Sequence, residues 1–243
     1  MGQHQIIKLE KYMNQYQHYS FDLWLTLIKS NPLFKQERTR FFYTHFNPLQ
    51  KPEAEVGQIF RKVDLMCNAI NEKTGGNIDA EEMYLMVINE LNDFSHTFDN
   101  IDLPALYQEM ESLVLRYLPV VYCSQTVKVL RQLKQNPDTT VSLLSNTAFI
   151  KGSTLRKVLQ QLELSPYLDF QLYSDEVGMS KPNAALFRLM LDTVAASRQQ
   201  PADLADIIHI GDNKKADILG ADAMGIASLL INSNHQCIST LLN

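Results

Sequence analysis

Five short runs of aliphatic and β-branched residues, separated by turns and stretches of helical spacing, constrain this chain more than any other feature. They lie at 19–28, 139–144, 170–173, 207–210 and 227–231. Between them apolar residues recur at helical intervals: Val127, Leu130 and Leu133, then a segment over 155–162, then Phe187, Met190, Leu191 and Val194 in a helix opened by Lys181-Pro182. A further helix stops at Gly225, a residue suited to a left-handed cap. Strands alternating with helices imply right-handed crossovers and a mainly parallel sheet. The expected fold class is α/β, a Rossmann-like core.

The region from Pro32 to Tyr117 has a different texture, helix after helix. Asn31-Pro32 is a start signal, with Pro at the first helical position. Val56, Ile59, Phe60, Val63, Met66, Cys67 and Ile70 follow helical periodicity up to the stop at Gly75-Gly76. Asp79 and Glu82 resemble a capping box that opens another helix. Met83, Met86, Val87 and Phe94 lie along its face, and Leu106, Tyr107, Met110, Leu113, Val114 and Tyr117 form a further stripe. Such stripes read as bundle packing. The chain is therefore expected to divide into a core, 1–30 and 120–243, and an inserted helical cap, 31–119, with linkers near 29–31 and 118–124.

Composition excludes several classes. Hydrophobic residues make up 45% and charged residues 20%, enough apolar side chains for a full core. The thiols Cys67, Cys123 and Cys237 are odd in number and far apart, which argues against a disulfide framework and suits a reducing compartment. The net charge of -5 and the lack of a Lys/Arg run argue against a nucleic-acid partner. No apolar run approaches the roughly 20 residues of a membrane span. The start has no apolar core like that of a signal peptide, and after Gly2 the sixth residue is Ile6 where a myristoylation signal wants Ser or Thr. A cytoplasmic protein with no membrane partner is expected; nothing specifies an oligomeric state. His4, His18, His45, His96, His209 and His235 show no zinc spacing, and His209 reads as structural. Ser145 lacks a Gly-x-Ser-x-Gly context, and Gly75-Gly76 lacks the Lys-Ser/Thr ending of a nucleotide loop.

Polar residues recur where an open parallel sheet places its ligands, beyond the carboxyl ends of strands. They are Asp22 with Thr26, Ser145 with Asn146, Lys181, and Asp212 with Asp217. Singly, each has a bland explanation as a buried acid, a turn or a surface lysine. Their coincidence at successive strand ends points to phosphoryl transfer. Neighbouring carboxylates repel unless a cation lies between them, and an all-oxygen site suits Mg²⁺. Lys181 can neutralise a nucleophilic carboxylate and a phosphate together. The Ser145 hydroxyl and free N–H groups at a helix start can hold the remaining phosphate oxygens. An Asp carboxylate can itself be the nucleophile.

Order and spacing resemble the haloacid dehalogenase-like hydrolase superfamily. The matching stretches are Phe21-Asp22-Leu23-Trp24-Leu25-Thr26-Leu27, Leu143-Leu144-Ser145-Asn146-Thr147, Ser180-Lys181-Pro182-Asn183 with the residues from Ser174, and His209-Ile210-Gly211-Asp212 through Asp217. The resemblance implies Asp22 as nucleophile and Mg²⁺ ligand, the Trp24 carbonyl as a second ligand, and Asp212 and Asp217 as further metal residues, Asp217 also as an anchor for Lys181. Thr26 would orient the nucleophile loop. Thr26, Ser145, Asn146 and Lys181 would surround the substrate phosphate, with Lys181 bridging it to Asp22. The implied substrate is a small phosphorylated metabolite. Trp24 departs from the pattern: family phosphatases carry a general acid there, and indole exchanges no proton usefully at neutral pH. Three readings are compatible with this: a phosphohydrolase or phosphotransferase working without that acid, a phosphoester-binding protein with little turnover, and a dehalogenase. Family dehalogenases carry an aromatic at this position but use no metal and lack the Gly-Asp acid of the fourth motif, so Asp212 and Asp217 weigh against the third. They also need a cap-side Arg, for which Arg38, Arg40 and Arg61 are candidates.

Overall fold

Strands buried on both faces of a parallel sheet read as continuous apolar runs rather than alternating ones; each of the five runs contains a strand, the three central ones buried and the two edge ones half-buried. The structure is a computed structural model that describes residues 15–95, 98 and 100–242. Gly2, His4, Ile6 and His96 lie outside the described residues, as do the first fourteen positions of the expected core segment. β1 (His18–Phe21) leads through the loop carrying Asp22 to a short β2 (Ile28–Lys29). Four helices follow: α1 (Pro32–His45), α2 (Glu53–Thr74), α3 (Ala80–Leu91) and α4 (Leu103–Arg116). The chain returns through β3 (Val120–Val121), then α5 (Thr126–Leu133), β4 (Thr140–Ser145), α6 (Gly152–Gln161) and β5 (Phe170–Tyr173). α7 (Ser174–Val177), α8 (Ala184–Arg198), β6 (Ile207–Gly211), α9 (Gly220–Ala223) and β7 (Ala227–Leu230) complete it.

The sheet order is β5-β4-β1-β6-β7, and every pairing in it is parallel. β1 lies at the centre, with Phe21 level with Leu143 on one side and Ile210 on the other. The chain moves outward from β1 through β4 to β5, then crosses back to β6 and β7. That reversal makes the gap between β1 and β6 the topological switch point, where such sheets open a crevice at their carboxyl edge. Asp22 and Asp212 follow those two strands directly.

Local chemistry sets the helix ends. The Asn31 side chain accepts from Leu33 N at 3.0 Å ahead of Pro32, and Asp79 with Glu82 forms a reciprocal capping box. Gly75 closes α2 at φ +72°, a conformation that glycine reaches without penalty. Its carbonyl accepts from Ser180 N and from Asn183 Nδ2, both at 3.0 Å, so the end of α2 docks beside Lys181. An aromatic cluster of Phe42, Phe60 and Tyr84 extends from the helices to Phe149 in the loop after β4. Tyr84 also donates to the Phe149 carbonyl at 3.0 Å.

Several expectations are corrected. The first run is not one strand: it breaks after Phe21, because Leu25 turns the chain at φ +60° and Leu27 and Ile28 bond back to the Leu23 carbonyl. The linkers are not plain: Ile28 pairs with Val121 and Lys29 with Val120 in an antiparallel ribbon. α8 starts at Ala184, two residues after Pro182, because Asn183 caps it by accepting from Ala185 N. Met66 and Ile70 are exposed; the buried seam of α2 runs through Val63, Cys67 and Asn71 instead. Phe94 lies beyond the end of α3 and is exposed. The thiols are not all free: Cys123 and Cys237 form a disulfide across 114 residues, while Cys67 is buried and reduced. The tertiary packing of α5 against the C-terminal segment brings them together, and no local spacing announces it. Among the described residues, no helix is long and apolar enough to cross a membrane.

Candidate active site

Asp22 takes its position from the sheet. Its N–H donates to the Ile210 carbonyl at 2.9 Å, which extends the β1–β6 ladder by one residue and turns the side chain toward the carboxyl edge. One carboxylate oxygen accepts from Thr26 Oγ1 at 2.9 Å, the other from Lys181 Nζ at 2.7 Å. The same ammonium donates to Asp217 Oδ1 at 2.7 Å. Lys181 is 1% exposed, so a full positive charge sits buried between two carboxylates. Asn146 fixes its backbone: Asn146 Oδ1 accepts from Lys181 N at 2.7 Å, and Asn146 Nδ2 donates to Lys181 O at 3.0 Å.

Asp217 is locked from two further directions. Asn213 N donates to it at 2.9 Å, and His209 Nε2 lies 3.2 Å away, its other ring nitrogen 2.9 Å from Ser20 Oγ. A widened, π-type helical turn over Lys214–Leu219 carries Asp217 beneath the end of β6. A side chain at Gly211 would overlap the Asp217 carboxylate, so this close approach requires glycine. Asp22, Asp212 and Asp217 each present an oxygen within 4.8 Å of the others.

The electrostatics divide these acids. Burial pushes the Asp22 carboxyl up to about 6; Lys181 opposes the rise and Asp217 adds to it. Burial also raises Asp212, to about 7, reinforced by the charges of Asp22 and Asp217. Asp217 is buried as well, but Lys181 and His209 overcome that and hold it below the usual carboxylate range. Burial would lower Lys181, yet Asp217 and Asp22 outweigh it and keep the ammonium charged. Asp22 and Asp212 thus face one another with negative charge that Lys181 alone does not balance. An all-oxygen, partly uncompensated donor set of this kind fits a hard divalent cation such as Mg²⁺.

A cavity of about 920 Å³ opens over these residues, between the sheet edge and helices α1 and α2. Asp22, Trp24, Asn146, Lys181, Asp212 and Asp217 all line it. Thr26 and Ser145 do not: both are fully buried, Thr26 behind Asp22 and Ser145 with its hydroxyl donating to the Asn146 carbonyl at 3.1 Å. Trp24 is half-buried at the cavity wall. Of the cap-side arginines, Arg40 and Arg61 are exposed and pair with Glu37 and Asp64, whereas Arg38 is buried in the wall.

Sequence reading missed the supports from the segment after β7 and from α2 and the loop after it. Asn232, at φ +63°, donates to the carbonyls of Leu25 at 2.7 Å and Thr26 at 3.2 Å, and so holds the loop after Asp22. Ser233 donates to the Asp212 carbonyl at 2.6 Å. Glu72 of α2 accepts from Asn213 Nδ2 at 2.9 Å, and Asn77 accepts from Ser174 Oγ at 2.7 Å. An Asn just past a strand was the available signal for the first, since Asn tolerates the left-handed region.

The chain is similar to proteins that are already known. Residues 19–231 match the model of the haloacid dehalogenase-like hydrolase family. A ribulose-1,5-bisphosphate 5-phosphatase of Halopiger xanaduensis is 25% identical over 172 residues, 70% of this chain and 66% of that protein. A glyceraldehyde 3-phosphate phosphatase of Methanothermobacter thermautotrophicus is 24% identical over 165 residues, 64% of this chain and 70% of that protein. The chain thus spans about two thirds of the length of each. The crystal structure of a HAD hydrolase of Bacillus subtilis, bound to magnesium, superposes with a TM-score of 0.67 at 16% identity, covering 93% of this chain and 92% of that one. With a family match over nearly the whole described core and this sheet order beneath it, the chain belongs to the haloacid dehalogenase-like hydrolases.

Proposed function

We propose that this protein is a Mg²⁺-dependent phosphoric monoester hydrolase or phosphotransferase that works through an aspartyl-phosphate on Asp22. The observation that carries the reading is the Lys181 ammonium held at 2.7 Å from both Asp22 and Asp217, with Asp212 alongside, on the floor of a large cavity. Relatives named as phosphatases of small phosphorylated sugars support it and suggest a small phosphorylated metabolite as substrate. In this reading residues 31–119 act as a cap whose side chains face the substrate.

An Asp22 carboxylate oxygen attacks phosphorus, the bond from phosphorus to the ester oxygen breaks, and the leaving group departs with the bonding pair as an alkoxide that takes a proton from water. Water then attacks the phosphorus of the aspartyl-phosphate, returning the Asp22 carboxylate and orthophosphate. Thr26 keeps the second Asp22 oxygen fixed, and Lys181 stays charged beside the reacting group to stabilise the equatorial oxygens. Asn146 and Asp217 act as positioning residues for Lys181. Asp22, Asp212, Asp217 and the Trp24 carbonyl are the residues that would hold Mg²⁺, which when bound neutralises charge developing on the phosphoryl oxygens. Asn146 and the backbone after it, which line the cavity where Ser145 does not, would receive the phosphate.

Trp24 favours a second reading, in which phosphoesters bind but turn over little, because no carboxylate stands where a leaving group would be protonated. A panel of phosphate monoesters, assayed with and without Mg²⁺ on the wild type and on Asp22→Asn, tests the proposal. Mg²⁺-dependent release of phosphate, lost in Asp22→Asn, is expected. Binding of the esters without release by either protein would establish the second reading instead.

A further inference from the structure

Glu72 stands where local chemistry gives a carboxylate no reason to be. It lies in the last turn of α2, an end that already carries partial negative charge. It also lines the cavity that holds Asp22, Asp212 and Asp217, and so adds like charge to an acidic floor. Two contacts with the turn after β6 offset this. Glu72 Oε1 accepts from Asn213 Nδ2 at 2.9 Å, and Glu72 Oε2 pairs with Lys215 Nζ at 3.2 Å. The Lys215 side chain is 48% exposed, so solvent screens that ion pair and it contributes little. The bond to Asn213 is partly buried and charge-assisted, the stronger kind.

Asn213 organises the widened turn that carries Asp217. Its Oδ1 accepts from Lys215 N at 2.9 Å and from Ala216 N at 3.1 Å. Its carbonyl accepts from Asp217 N at 2.9 Å, and its own N–H donates to the Asp217 carboxylate at 2.9 Å. The other Asp217 oxygen accepts from Lys181 Nζ, which also donates to Asp22. A continuous line of hydrogen bonds therefore runs from α2 to the nucleophile. The Asn213 oxygen is occupied by the turn; among the described residues, Glu72 is what fixes its nitrogen. The same helix end holds the other side of the lysine, because the Gly75 carbonyl accepts from Ser180 N and Asn183 Nδ2 on either side of Lys181-Pro182. Both members of the Lys181–Asp217 pair are thus tied to one helix terminus.

We propose that Glu72 is a positioning residue for Lys181: through the Asn213 amide it holds the turn of Asp217 in register, so that α2 sets the geometry beside Asp22 without reaching it. The inference rests on the reading of the sheet edge as a phosphoryl-binding site. A buried ammonium stabilises a phosphoryl group only when it is already in place, and a small displacement forfeits much of that effect. Lys181 takes its place from Asp217, and Asp217 from a turn that is otherwise short and partly exposed. A second bond to Asn213 from a long helix stiffens that turn at the point where it most affects the lysine.

Two measurements test this, one of them independent of any ligand. Hydrogen exchange at the amides of Lys215, Ala216 and Asp217 reads the turn itself. Glu72→Ala should speed their exchange about tenfold or more. Glu72→Gln should restore most of the protection, because its amide oxygen still accepts from Asn213. Calorimetry with beryllofluoride and Mg²⁺ reads the consequence at Lys181, since this probe is the size of a phosphoryl group and carries no tail for α2 to hold. Its affinity should fall about tenfold in Glu72→Ala and less than about threefold in Glu72→Gln. Wild-type exchange at these amides, in a Glu72→Ala protein shown to be folded by its melting curve, overturns the proposal. So does faster exchange with unchanged beryllofluoride affinity, which would make the contact structural only. A loss in Glu72→Gln as large as in Glu72→Ala overturns it too, by assigning the effect to charge. A wild type that binds no beryllofluoride, while Glu72→Ala still loosens the turn and Glu72→Gln restores it, would refute the phosphoryl reading alone and uphold the hold of Glu72 on Asp217.

Discussion

On the proposed reading, position 24 separates this site from a general-purpose phosphatase. An alkoxide leaving group needs a proton as its bond to phosphorus breaks, whereas an activated aryl leaving group does not, and Trp24 supplies none. Rates on a series of esters should fall steeply as leaving-group pKa rises. Trp24→Asp should flatten that slope and raise alkyl-phosphate turnover by up to about 10²-fold. Equal slopes in the two proteins would show that the indole acts by blocking the cavity mouth instead. Asn146 allows a separate test. It touches Lys181 only through the backbone, so Asn146→Ala should leave the ammonium charged but poorly placed. A loss of about 10- to 100-fold in kcat is expected, with little change in the melting temperature. A kcat equal to the wild type would remove Asn146 from the positioning of Lys181. Asp22 and Asp212 stand out in the sequence because each lies just past an apolar run, whereas Lys181 and Asp217 lie further along the loops that follow. Ser233 has no distinguishing pattern until the loop it supports is seen, and Asn232 has only the general one of an Asn just past a strand.

At the scale of elements, the strands were legible wherever burial on two faces forces an apolar run, and the helix starts wherever a cap is spelled out, as at Asn31 and Asp79. The ribbon of β2 and β3 was not, because two residues per strand carry no period. Met66 and Ile70 misled because a stripe at intervals of three and four stays wide, while the packed seam follows its narrower centre through Cys67 to Asn71. The Cys123–Cys237 bond joins the segment after β3 to the chain just beyond Asn232 and Ser233, so it braces the supports of the nucleophile loop. A link closing a loop of this length restricts the unfolded chain, and its loss should cost about 2–4 kcal/mol. Cys237→Ser should therefore lower the denaturation midpoint and raise the denaturant slope, because the released unfolded chain exposes more surface. An unchanged midpoint, with the two thiols found free by mass mapping, would contradict the pairing.

For the molecule as a whole, one arrangement explains fold, charge and cavity together: the sheet reverses direction beside β1, acids gather there, and the helices roof the crevice. Without a cation, the raised carboxyls of Asp22 and Asp212 make ionisation unfavourable in the folded state, at about 6 and about 7. For a raised acid, folded-state stability declines as pH climbs from the unfolded value through these points. On the proposed reading, Mg²⁺ bound to the ionised pair would offset that decline. The gain in melting temperature on adding Mg²⁺ should thus be small near about pH 5 and full above about pH 8. A gain independent of pH would contradict the assignment of these two acids. The central claim is a covalent intermediate on Asp22, and the most direct measurement is acid-quenched labelling. The protein is mixed briefly with Mg²⁺ and an aryl phosphate radiolabelled at phosphorus, digested, and its peptides are mapped. The account expects label on the peptide containing Asp22, released by hydroxylamine and missing from Asp22→Asn. Steady phosphate release with that peptide unlabelled, and undiminished in Asp22→Asn, would contradict it.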